Sequence, residues 1–305
     1  MITLVDLIAE SLSLEKPYIK KLINRSAYYY KTYYIDKPSG GKRRIQHPSP
    51  ELKTLQYWCI YNIFSKLPVS DYAYAYKKGL SIKHHAYAHL RGRFILHLDI
   101  IGFFESINSQ HLSNVLIRNK ELFMDFDVEL SLEEICGICL RKNTLCIGAV
   151  CSPIISNVIM YNFDNESAKY CKDRKLTYTR YADDIYISSS EFIDEDILDY
   201  FRVKLKEMDF VVNEKKTRFM SSKNRQAVTG LIITHDKNVS VGLNMRNKVK
   251  SLLYEKMVKG IGDPEVIMGY MSYIKDIEPM FYNKLIVKYS KYGNVLETIS
   301  KPEKL

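Results

Sequence analysis

Three aspartates lie where apolar segments end, and their spacing could support metal-dependent chemistry. Asp99 ends one apolar segment, and Asp183 and Asp184 lie between two alternating segments, 178–182 and 185–188. This pattern predicts a β-strand that ends in Asp99 and a hairpin whose two-residue turn is Asp183-Asp184. Adjacent carboxylates repel each other, and a bound cation relieves that repulsion. We therefore expect the three carboxylates to bind metal together.

Carboxylates that converge in this way suit phosphoryl transfer to a growing nucleic-acid strand. That reaction uses two Mg²⁺ ions about 4 Å apart, one to activate the attacking 3′-hydroxyl and one to steady the triphosphate. Hard cations prefer oxygen ligands, so the site needs two or three carboxylates. Taken singly, Asp99 could cap a helix and Asp183-Asp184 could form a solvated turn. The apolar strands on both sides and the earlier strand-terminal aspartate favour the metal site.

The composition bounds the class of protein. A chain of 305 residues exceeds one compact core, so two or three subdomains are expected, and a hydrophobic content of 46% excludes general disorder. The 45 basic and 35 acidic residues give a net charge of +10, which suggests a polyanionic partner, although a merely soluble basic protein has the same balance.

The start of the chain has no cationic region of a signal peptide, and no uncharged segment is long enough to span a membrane. We expect a cytoplasmic protein with reduced cysteines.

The sequence pattern also predicts the elements that position the aspartates. Helices are expected at 2–12, 17–25, 50–67, 81–91, 109–118, 131–141, 153–171 and 193–208. Strands are expected at 28–35, 42–45, 94–99, 178–182, 185–188 and 210–212, with two more within 228–242. Ser39-Gly40-Gly41 is a predicted turn that makes the first two strands a basic hairpin. From residue 244 the pattern is helical, at 245–259, 263–275 and 279–292, so the best domain boundary lies near residue 243.

Four cysteines superficially resemble a zinc cluster: Cys136, Cys139, Cys146 and Cys151. Their spacing is loose and no histidine lies close by in the sequence. Buried thiols are the favoured interpretation, because Cys136 and Cys139 are expected on the apolar face of a helix.

Several motifs resemble those of reverse transcriptases. Tyr181-Ala182-Asp183-Asp184, with a strand that ends in Asp99 and is followed by Phe103-Phe104, resembles the palm of that family. Further matches follow in the family's order over almost the whole chain: Gly41-Lys42-Arg43-Arg44-Ile45-x-x-Pro48, Leu52-Lys53-x-x-Gln56, Gly148-Ala149-x-x-Ser152-Pro153-x-x-Ser156-Asn157 and Asn213-x-x-Lys216-Thr217. The resemblance implies an α+β right-hand polymerase fold. Its fingers would span 1–92, its palm of antiparallel sheet plus helices 93–243, with a fingers-like insertion near 109–145, and its helical thumb 244–305.

Finer features resemble one branch of the family, the bacterial retron reverse transcriptases. Val228-Thr229-Gly230 matches a triplet typical of them, and His85-Ala86-x-x-His89 partly matches their Asn-Ala-x-x-His marker. No RNase H-like or endonuclease segment is evident. The segments 154–162 and 277–279 look most like retrons encoded beside an ATPase and an HNH nuclease.

The resemblance also implies roles in catalysis and nucleotide binding. Asp99, Asp183 and Asp184 would be catalytic and would bind the two Mg²⁺ ions, with the Ile100 carbonyl as a further ligand. The residues implied at the incoming nucleotide are Arg43 on the triphosphate, Phe104 against a 2′-hydroxyl, Gly148, and Lys216 on the pyrophosphate. For three of these an ordinary structural role stays open, namely an exposed turn for Arg43, core packing for Phe104 and a surface salt bridge for Lys216.

The remaining implied roles concern primer, template and RNA. Tyr181 and Asn157 would lie at the primer or template. RNA contacts are implied for His89, Thr229, Arg246, Lys248, Lys250 and Lys256. A solvated face remains the alternative for the basic helix. Ile147 departs from the family, because it stands where a glutamine often contacts the incoming nucleotide, and this affects nucleotide selectivity and rate.

The implied function is RNA-templated DNA synthesis on a structured non-coding RNA that the same chain binds. Retrons further imply priming from a 2′-hydroxyl to give branched RNA–DNA, and a role in phage defence. The implied partners are the RNA, its DNA product, dNTPs and an effector with ATPase and HNH nuclease activities. The alternatives are a non-catalytic scaffold for RNA and effector, or another bacterial reverse transcriptase of the abortive-infection or diversity-generating type.

Overall fold

The computed structural model describes residues 2–37 and 40–301, and this part of the chain forms two compact units of mixed helix and sheet. The first unit lies within Met1–Lys78, His97–Tyr186 and Asp194–Arg218. The second lies within Gly79–Leu96, Ile187–Ile193 and Phe219–Leu305. The division into fingers, palm and thumb at residues 92 and 243 stays a prediction.

The first unit begins with two short helices and the predicted hairpin. Helices α1 (Leu4–Leu12) and α2 (Lys16–Asn24) are followed by strands β1 (Tyr30–Asp36) and β2 (Lys42–Pro48). The strands pair antiparallel, in a register that runs from Tyr30 opposite Pro48 to Asp36 opposite Lys42. Gly40 and Gly41 adopt positive φ near the turn, where glycine carries no steric penalty. Ser39 of the predicted turn lies outside the described residues.

The other elements of the two units follow in chain order. The helices are α3 (Pro50–Asn62), α4 (Ile82–Ala88), α5 (Phe103–Ser106), α6 (Ser109–Arg118), α7 (Leu132–Cys139), α8 (Ser152–Ile159), α9 (Tyr161–Asp173), α10 (Glu195–Lys206), α11 (Leu243–Tyr254), α12 (Pro264–Ile277), α13 (Pro279–Tyr289) and α14 (Val295–Ser300). The strands are β3 (Phe94–Asp99), β4 (Thr177–Tyr181), β5 (Asp184–Ser189), β6 (Arg218–Ser221), β7 (Gln226–Val228), β8 (Leu231–Ile233) and β9 (Val239–Ser240).

The candidate catalytic residues belong to a four-stranded sheet of order β4-β5-β3-β6. Strands β3 and β5 carry almost continuous buried residues, including Ile95, Leu96, Leu98, Ile185 and Ile187. Burial of this kind fixes the strand register, since a slip by one residue would move every side chain to the other face. The ends of these strands, and any side chains on them, are therefore placed by the core.

The second unit combines a small sheet with the C-terminal helices. Strands β7, β8 and β9 form an antiparallel sheet in that order. Helix α11 begins at Leu243 and continues as a π-helical turn, Glu255–Lys259. The helices enclose a core that includes Val249, Leu253, Ile267 and Met271.

Two predicted elements were wrong in detail. The helix expected at 153–171 is two helices, because Met160, with φ −79° and ψ 0°, interrupts the helical path between α8 and α9. Within the described residues, 210–212 contributes an isolated bridge of Ile100 with Val212 instead of a strand. The two strands expected within 228–242 are β8 and β9, and the short strand β7 precedes them at Gln226–Val228.

The cysteines and the membrane prediction can be compared with the described residues. All six cysteines are free thiols, and five are buried, Cys136 being the partly exposed one. Burial raises the pKa of the Cys146 thiol to about 12. Among residues 2–37 and 40–301, no helix is both long and apolar enough to cross a bilayer.

Candidate active site

The predicted aspartate hairpin is present, but its turn is one residue earlier than expected. Strand β4 ends at Tyr181, Ala182 and Asp183 form the connection, and Asp184 is the first residue of β5. Ala182 has φ 57°, a left-handed conformation that suits a tight hairpin turn. The prediction of Asp183-Asp184 as the turn was therefore wrong. Asp184 is held in extended conformation, so its side chain direction is fixed by the sheet.

A backbone hydrogen bond joins this turn to the end of β3. The N–H of Ile100 donates to the carbonyl oxygen of Asp183 at 3.1 Å. Asp99, one residue earlier, is buried with 3% of its surface exposed. Because neighbouring strands lie about 4.8 Å apart, this pairing brings Asp99 and the two aspartates of the hairpin to one edge of the sheet.

The carboxylate of Asp99 is held by two side chains that follow α10. Asn213 Nδ2 donates to Asp99 Oδ1 at 2.8 Å. Lys216 Nζ lies 2.8 Å from Oδ1 and 2.9 Å from Oδ2. The hydrogen bond from Lys216 to Asp99 raises the pKa of the lysine, so its charge is secured beside the carboxylates. Asn213 and Lys216 belong to one predicted motif, and the structure brings both to Asp99.

Asp184 has a partner that the sequence analysis missed. His97 Nε2 donates to Asp184 Oδ1 at 2.6 Å, and the imidazole stacks on Tyr186 with ring centroids 4.5 Å apart. His97 lies two residues before Asp99 on β3, and Tyr186 lies two residues after Asp184 on β5. The two-residue spacing places each pair on one face of its strand. That alternation was the available signal for His97.

The carboxyl of Asp183 is strongly affected by its surroundings. Burial raises the pKa of its carboxyl to about 6, and the charges of Asp184 and Asp99 add to the rise. Lys216 opposes this shift. Burial and the two neighbouring carboxylates thus disfavour the charged form of Asp183.

The segment of Ile147 and Gly148, which is predicted to contact the nucleotide, packs against the hairpin of β1 and β2. The N–H of Gln46 on β2 donates to the carbonyl of Ile147 at 2.8 Å. Gly148 has φ 114°, and a Cβ at this position would lie 2.9 Å from the Gln46 carbonyl oxygen and 3.0 Å from Ile45 Cγ2. The position therefore requires glycine, because both its conformation and the approach of β2 exclude a side chain.

Two aromatic residues and an arginine border the same region. Phe104 on α5 is partly exposed, and its ring centroid lies 6.5 Å from that of Tyr76. Burial and the charge of Asp183 raise the pKa of Tyr76, while Arg43 acts in the opposite direction. Tyr76, which the sequence analysis did not name, is thus near the turn of Ala182 and Asp183. Arg43 lies exposed on β2, consistent with either of its predicted interpretations.

Asn157 does not have the surface position expected of a primer or template contact. It is 2% exposed, its Nδ2 donates to the Ala75 carbonyl at 2.9 Å, and its Oδ1 accepts from Arg180 at 3.1 Å. A direct contact with nucleic acid is not supported, since both ends of the amide are used inside the protein. Tyr181 is partly exposed at the end of β4, beside the turn.

In the second unit, the two marker motifs contact each other. His85 Nδ1 and Thr229 Oγ1 are hydrogen-bonded at 2.9 Å, and His89 Nδ1 and Ser188 Oγ at 2.8 Å. His89 is fully buried, and this burial lowers its pKa to about 3. The predicted RNA contact of His89 is therefore corrected to a buried role. Thr229, with φ 46° between β7 and β8, remains partly exposed.

The basic residues of the C-terminal helices differ in how accessible their side chains are for the predicted contacts with RNA. Arg246 pairs with the carboxylate of Glu278, which also accepts a hydrogen bond from the Val241 N–H at 2.5 Å. Lys256 is 3% exposed and donates to the Gly262 carbonyl at 3.1 Å, so its predicted RNA contact is corrected as well. The other two residues of the predicted set, Lys248 and Lys250, lie beside the aromatic rings of Tyr270 and Phe281.

Comparisons with known proteins agree with the motifs. Residues 35–249 match the family model described as reverse transcriptase (RNA-dependent DNA polymerase). The retron Ec73 reverse transcriptase of Escherichia coli is 37% identical over 283 residues, covering 88% of this chain and 89% of the relative. The retron Ec83 reverse transcriptase of Escherichia coli is 31% identical over 284 residues, covering 88% of this chain and 90% of the relative.

A solved structure shows the same fold at low identity. Apo telomerase from Candida tropicalis is 12% identical with a TM-score of 0.50, and the match covers 89% of this chain. This chain spans 61% of the length of that telomerase chain, and the similarity concerns the fold alone. The predicted α+β reverse transcriptase fold is thereby confirmed. The chain belongs to the retron reverse transcriptases and is an RNA-directed DNA polymerase.

Proposed function

We propose that this polymerase copies part of a cognate structured RNA into DNA by two-metal catalysis at Asp99, Asp183 and Asp184. The observation that supports this most strongly is the 3.1 Å hydrogen bond from the Ile100 N–H to the Asp183 carbonyl. It joins the two chain segments that carry the carboxylates. Their convergence supplies the charge needed to hold cations where a triphosphate is cleaved.

The donor chemistry fits Mg²⁺. Carboxylate oxygens are the ligands that this ion prefers, and the pKa of Asp183, raised to about 6 by burial and its acidic neighbours, indicates repulsion that a cation would relieve. Within residues 2–37 and 40–301, the side chains as placed do not form a group of three or more His, Cys, Asp or Glu that could hold a metal ion. Lys216 and His97 occupy carboxylate oxygens of Asp99 and Asp184. We propose that the Lys216 contact is exchanged when the metals bind, while His97 stays on one oxygen of Asp184 and leaves the other for a metal, with the Ile100 carbonyl as a further ligand.

When bound, the metals supply activation of the 3′-hydroxyl and stabilisation of charge on the triphosphate. The chain itself orients the nucleotide. We assign the triphosphate to Arg43, because a guanidinium offers paired donors, and the pyrophosphate to Lys216, whose ammonium already lies at the carboxylates. Phe104 would exclude a 2′-hydroxyl by contact, and Gly148 lets the nucleotide segment approach β2.

The polyanionic partners are assigned to basic, aromatic and hydroxyl side chains that are at least partly exposed. Lys248 and Lys250, with Arg246, are proposed to contact RNA phosphates, and Tyr181 the primer end, while Thr229 would contact RNA from the β7–β8 turn. The proposed partners are the structured non-coding RNA, its DNA product and dNTPs. His89 and Lys256, being buried, would act only by supporting these surfaces.

The retron family suggests further steps. We propose priming from a 2′-hydroxyl of the bound RNA, which gives branched RNA–DNA, and a role in defence against phage. The effector is proposed to be encoded beside the polymerase, with an ATPase and an HNH nuclease suspected. The support for this branch is the sequence at 154–162 and 277–279.

The catalytic proposal is tested by primer extension on RNA with purified protein and Mg²⁺. The Asp183→Asn/Asp184→Asn variant should lose DNA synthesis while retaining RNA binding, because only the charge at the sheet edge is removed. Glu133→Gln/Glu134→Gln, which removes an adjacent acidic pair in α7, is the matched control and should retain synthesis. Unchanged synthesis in the aspartate variant would contradict the mechanism.

The priming proposal needs a separate measurement, since a linear primer bypasses it. Nucleic acid that copurifies with the protein should contain one covalently branched RNA–DNA species, detected by sequencing before and after debranching. Linear DNA products alone would contradict 2′-hydroxyl priming. Normal RNA binding without any DNA product, across metals and nucleotides, would instead support a non-catalytic scaffold.

A further inference from the structure

Arg180 on β4 is a fully buried arginine next to the catalytic turn. Its Nε and Nη2 donate to the two oxygens of Asp164 on α9, at 2.8 and 2.7 Å, and both side chains are 0% exposed. The Tyr178 hydroxyl donates to Asp164 Oδ1 at 2.7 Å, and Arg180 Nη2 also donates to Asn157 Oδ1 at 3.1 Å. All four residues belong to the first unit. The guanidinium is thus fixed on one side by three hydrogen bonds, two to Asp164 and one to Asn157.

The other terminal nitrogen of Arg180 reaches the turn. Nη1 donates to the carbonyl oxygen of Ala182 at 2.9 Å. This carbonyl belongs to the peptide group that precedes Asp183, and the carbonyl of Asp183 accepts from Ile100 at 3.1 Å. Both peptide groups that flank Asp183 are therefore held by hydrogen bonds, one from a buried side chain and one from a strand end.

The conformation of the turn needs such support. Ala182 has φ 57°, where a residue with a Cβ is disfavoured, and its side chain is buried. Disfavoured backbone conformations persist when the surrounding structure determines them, and they cluster at functional sites. The bond from Arg180 restrains the peptide that follows this residue.

Stability alone is a weak explanation for the buried ion pair. Removing two charges from water is costly, and replacement of such pairs by apolar residues is often neutral or stabilising. A planar guanidinium, however, can bind a carboxylate with two nitrogens while a third nitrogen is directed elsewhere. Here that third nitrogen is directed at the catalytic turn.

We propose that Arg180, held by Asp164, is a positioning residue that fixes the Ala182–Asp183 peptide and so presents the Asp183 carboxylate to the metals in one orientation. The inference rests on the proposed two-metal function of Asp183. Tyr178 and Asn157 complete the support by fixing Asp164 and the guanidinium. Asn157, which was predicted to contact the primer or template, is thereby assigned a supporting role for the turn through its hydrogen bond with Arg180.

The test compares Arg180→Lys with Arg202→Lys. Lysine keeps the charge of Arg180 but cannot bind Asp164 with two nitrogens and still reach Ala182. Arg202 on α10 is the matched control, because it binds Glu214 with two nitrogens at 2.9 and 2.7 Å on the exposed surface. Three quantities are measured in each folded variant, namely the rate of DNA synthesis, the KM for dNTP, and Mn²⁺ binding from the EPR signal of the free ion.

Arg180→Lys should lower the synthesis rate by about 10²-fold, because small displacements of catalytic groups have effects of this size. The dissociation constant for Mn²⁺ should rise about tenfold, as for other residues that orient metal ligands. The KM for dNTP should stay the same, and Arg202→Lys should match the wild type throughout. Wild-type Mn²⁺ binding and rate in folded Arg180→Lys would overturn the proposal.

A second variant covers the case in which Arg180→Lys does not fold. Tyr178→Phe/Asp164→Leu/Arg180→Met removes the ion pair together with the Tyr178 hydroxyl, so no uncompensated charge stays buried, and Asn157 keeps its hydrogen bond to the Ala75 carbonyl. It should lose rate and Mn²⁺ affinity in the same way, with faster hydrogen exchange in segment 177–189. Full activity in this variant would also overturn the proposal. Failure of the two-metal function is seen separately, as unchanged Mn²⁺ binding in Asp183→Asn/Asp184→Asn.

Discussion

His97 and Asp184 form a short hydrogen bond, with 2.6 Å between Nε2 and Oδ1. The imidazole is held in place by its stacking on Tyr186, whose ring centroid lies 4.5 Å away. His97, two residues before Asp99, and Tyr186, two residues after Asp184, therefore set the rotamer of the Asp184 side chain. A histidine on β3 thus orients the carboxylate of an aspartate on the neighbouring strand β5.

Replacement of His97 should weaken metal binding through this orientation. His97→Ala is expected to raise the dissociation constant for Mn²⁺ by roughly tenfold and to lower the rate of DNA synthesis, because the carboxylate loses its donor. His97→Gln, which keeps an N–H donor, should recover part of both. The measurements are EPR of free Mn²⁺ and single-turnover primer extension.

His111→Gln is the control for this prediction. His111 on α6 also stacks on an aromatic ring, Phe210, and is hydrogen-bonded to the Met208 carbonyl at 2.9 Å. Its replacement should affect stability without changing Mn²⁺ affinity. Equal Mn²⁺ affinity in His97→Ala and wild type would contradict the role of His97.

Gly148→Ala should disturb the contact between the nucleotide segment and β2. The new Cβ would lie 2.9 Å from the Gln46 carbonyl oxygen, and φ 114° is unfavourable for alanine. We expect a loss of about 1–3 kcal/mol in the free energy of unfolding and a higher KM for dNTP. Gly40→Ala is the matched control, because φ is +86° there but nothing lies within 4 Å of the added Cβ. If both variants lose the same stability, the close approach of β2 has no part in the effect.

Ile147→Gln should improve nucleotide binding. The backbone of this residue is anchored by the 2.8 Å hydrogen bond from Gln46 to its carbonyl, so the side chain can change without moving the segment. A new hydrogen bond to the incoming nucleotide would lower the KM for dNTP by up to about tenfold. Ile147→Leu, which adds no polar group, should leave the KM unchanged. A KM in Ile147→Gln equal to that of wild type would place the nucleotide out of reach of this side chain.

His89 should make the protein sensitive to acid. Burial lowers its pKa from 6.5 to about 3, so the folded protein keeps the imidazole neutral while the unfolded chain takes up a proton below about pH 6.5. The stability contributed by the neutral form is complete above that pH and is lost progressively as the pH falls towards about 3. The loss for one such group is on the order of a few kcal/mol.

The pH prediction is checked by urea unfolding at several pH values. His89→Asn can keep a hydrogen bond to Ser188 Oγ but does not titrate in this range. Its free energy of unfolding should depend less steeply on pH between about 6.5 and about 3 than that of wild type. If the free energy of unfolding depends on pH equally steeply in the two proteins, protonation of His89 is not involved.

The sequence alone determined the family and the fold, and it indicated the candidate catalytic residues. Asp99, Asp183 and Asp184 were recognisable because apolar alternation marks strand ends, and strand ends are where carboxylates can converge. Gly148 and Thr229 were recognisable by motif. These signals are local, since they depend on residue types at fixed short spacings, and the comparisons confirmed the family that they indicated.

Only the tertiary structure decided which side chains meet and which are buried. The turn lies one residue earlier than predicted, so Asp184 belongs to strand β5 and has His97 as its hydrogen-bond partner. The tertiary structure placed His89 and Lys256 in the interior, away from any direct RNA contact. It also brought Arg180 and Asp164 together beneath Ala182. Contacts of this kind join residues far apart in the chain, and burial depends on the packing of whole elements, so neither can be derived from local spacing.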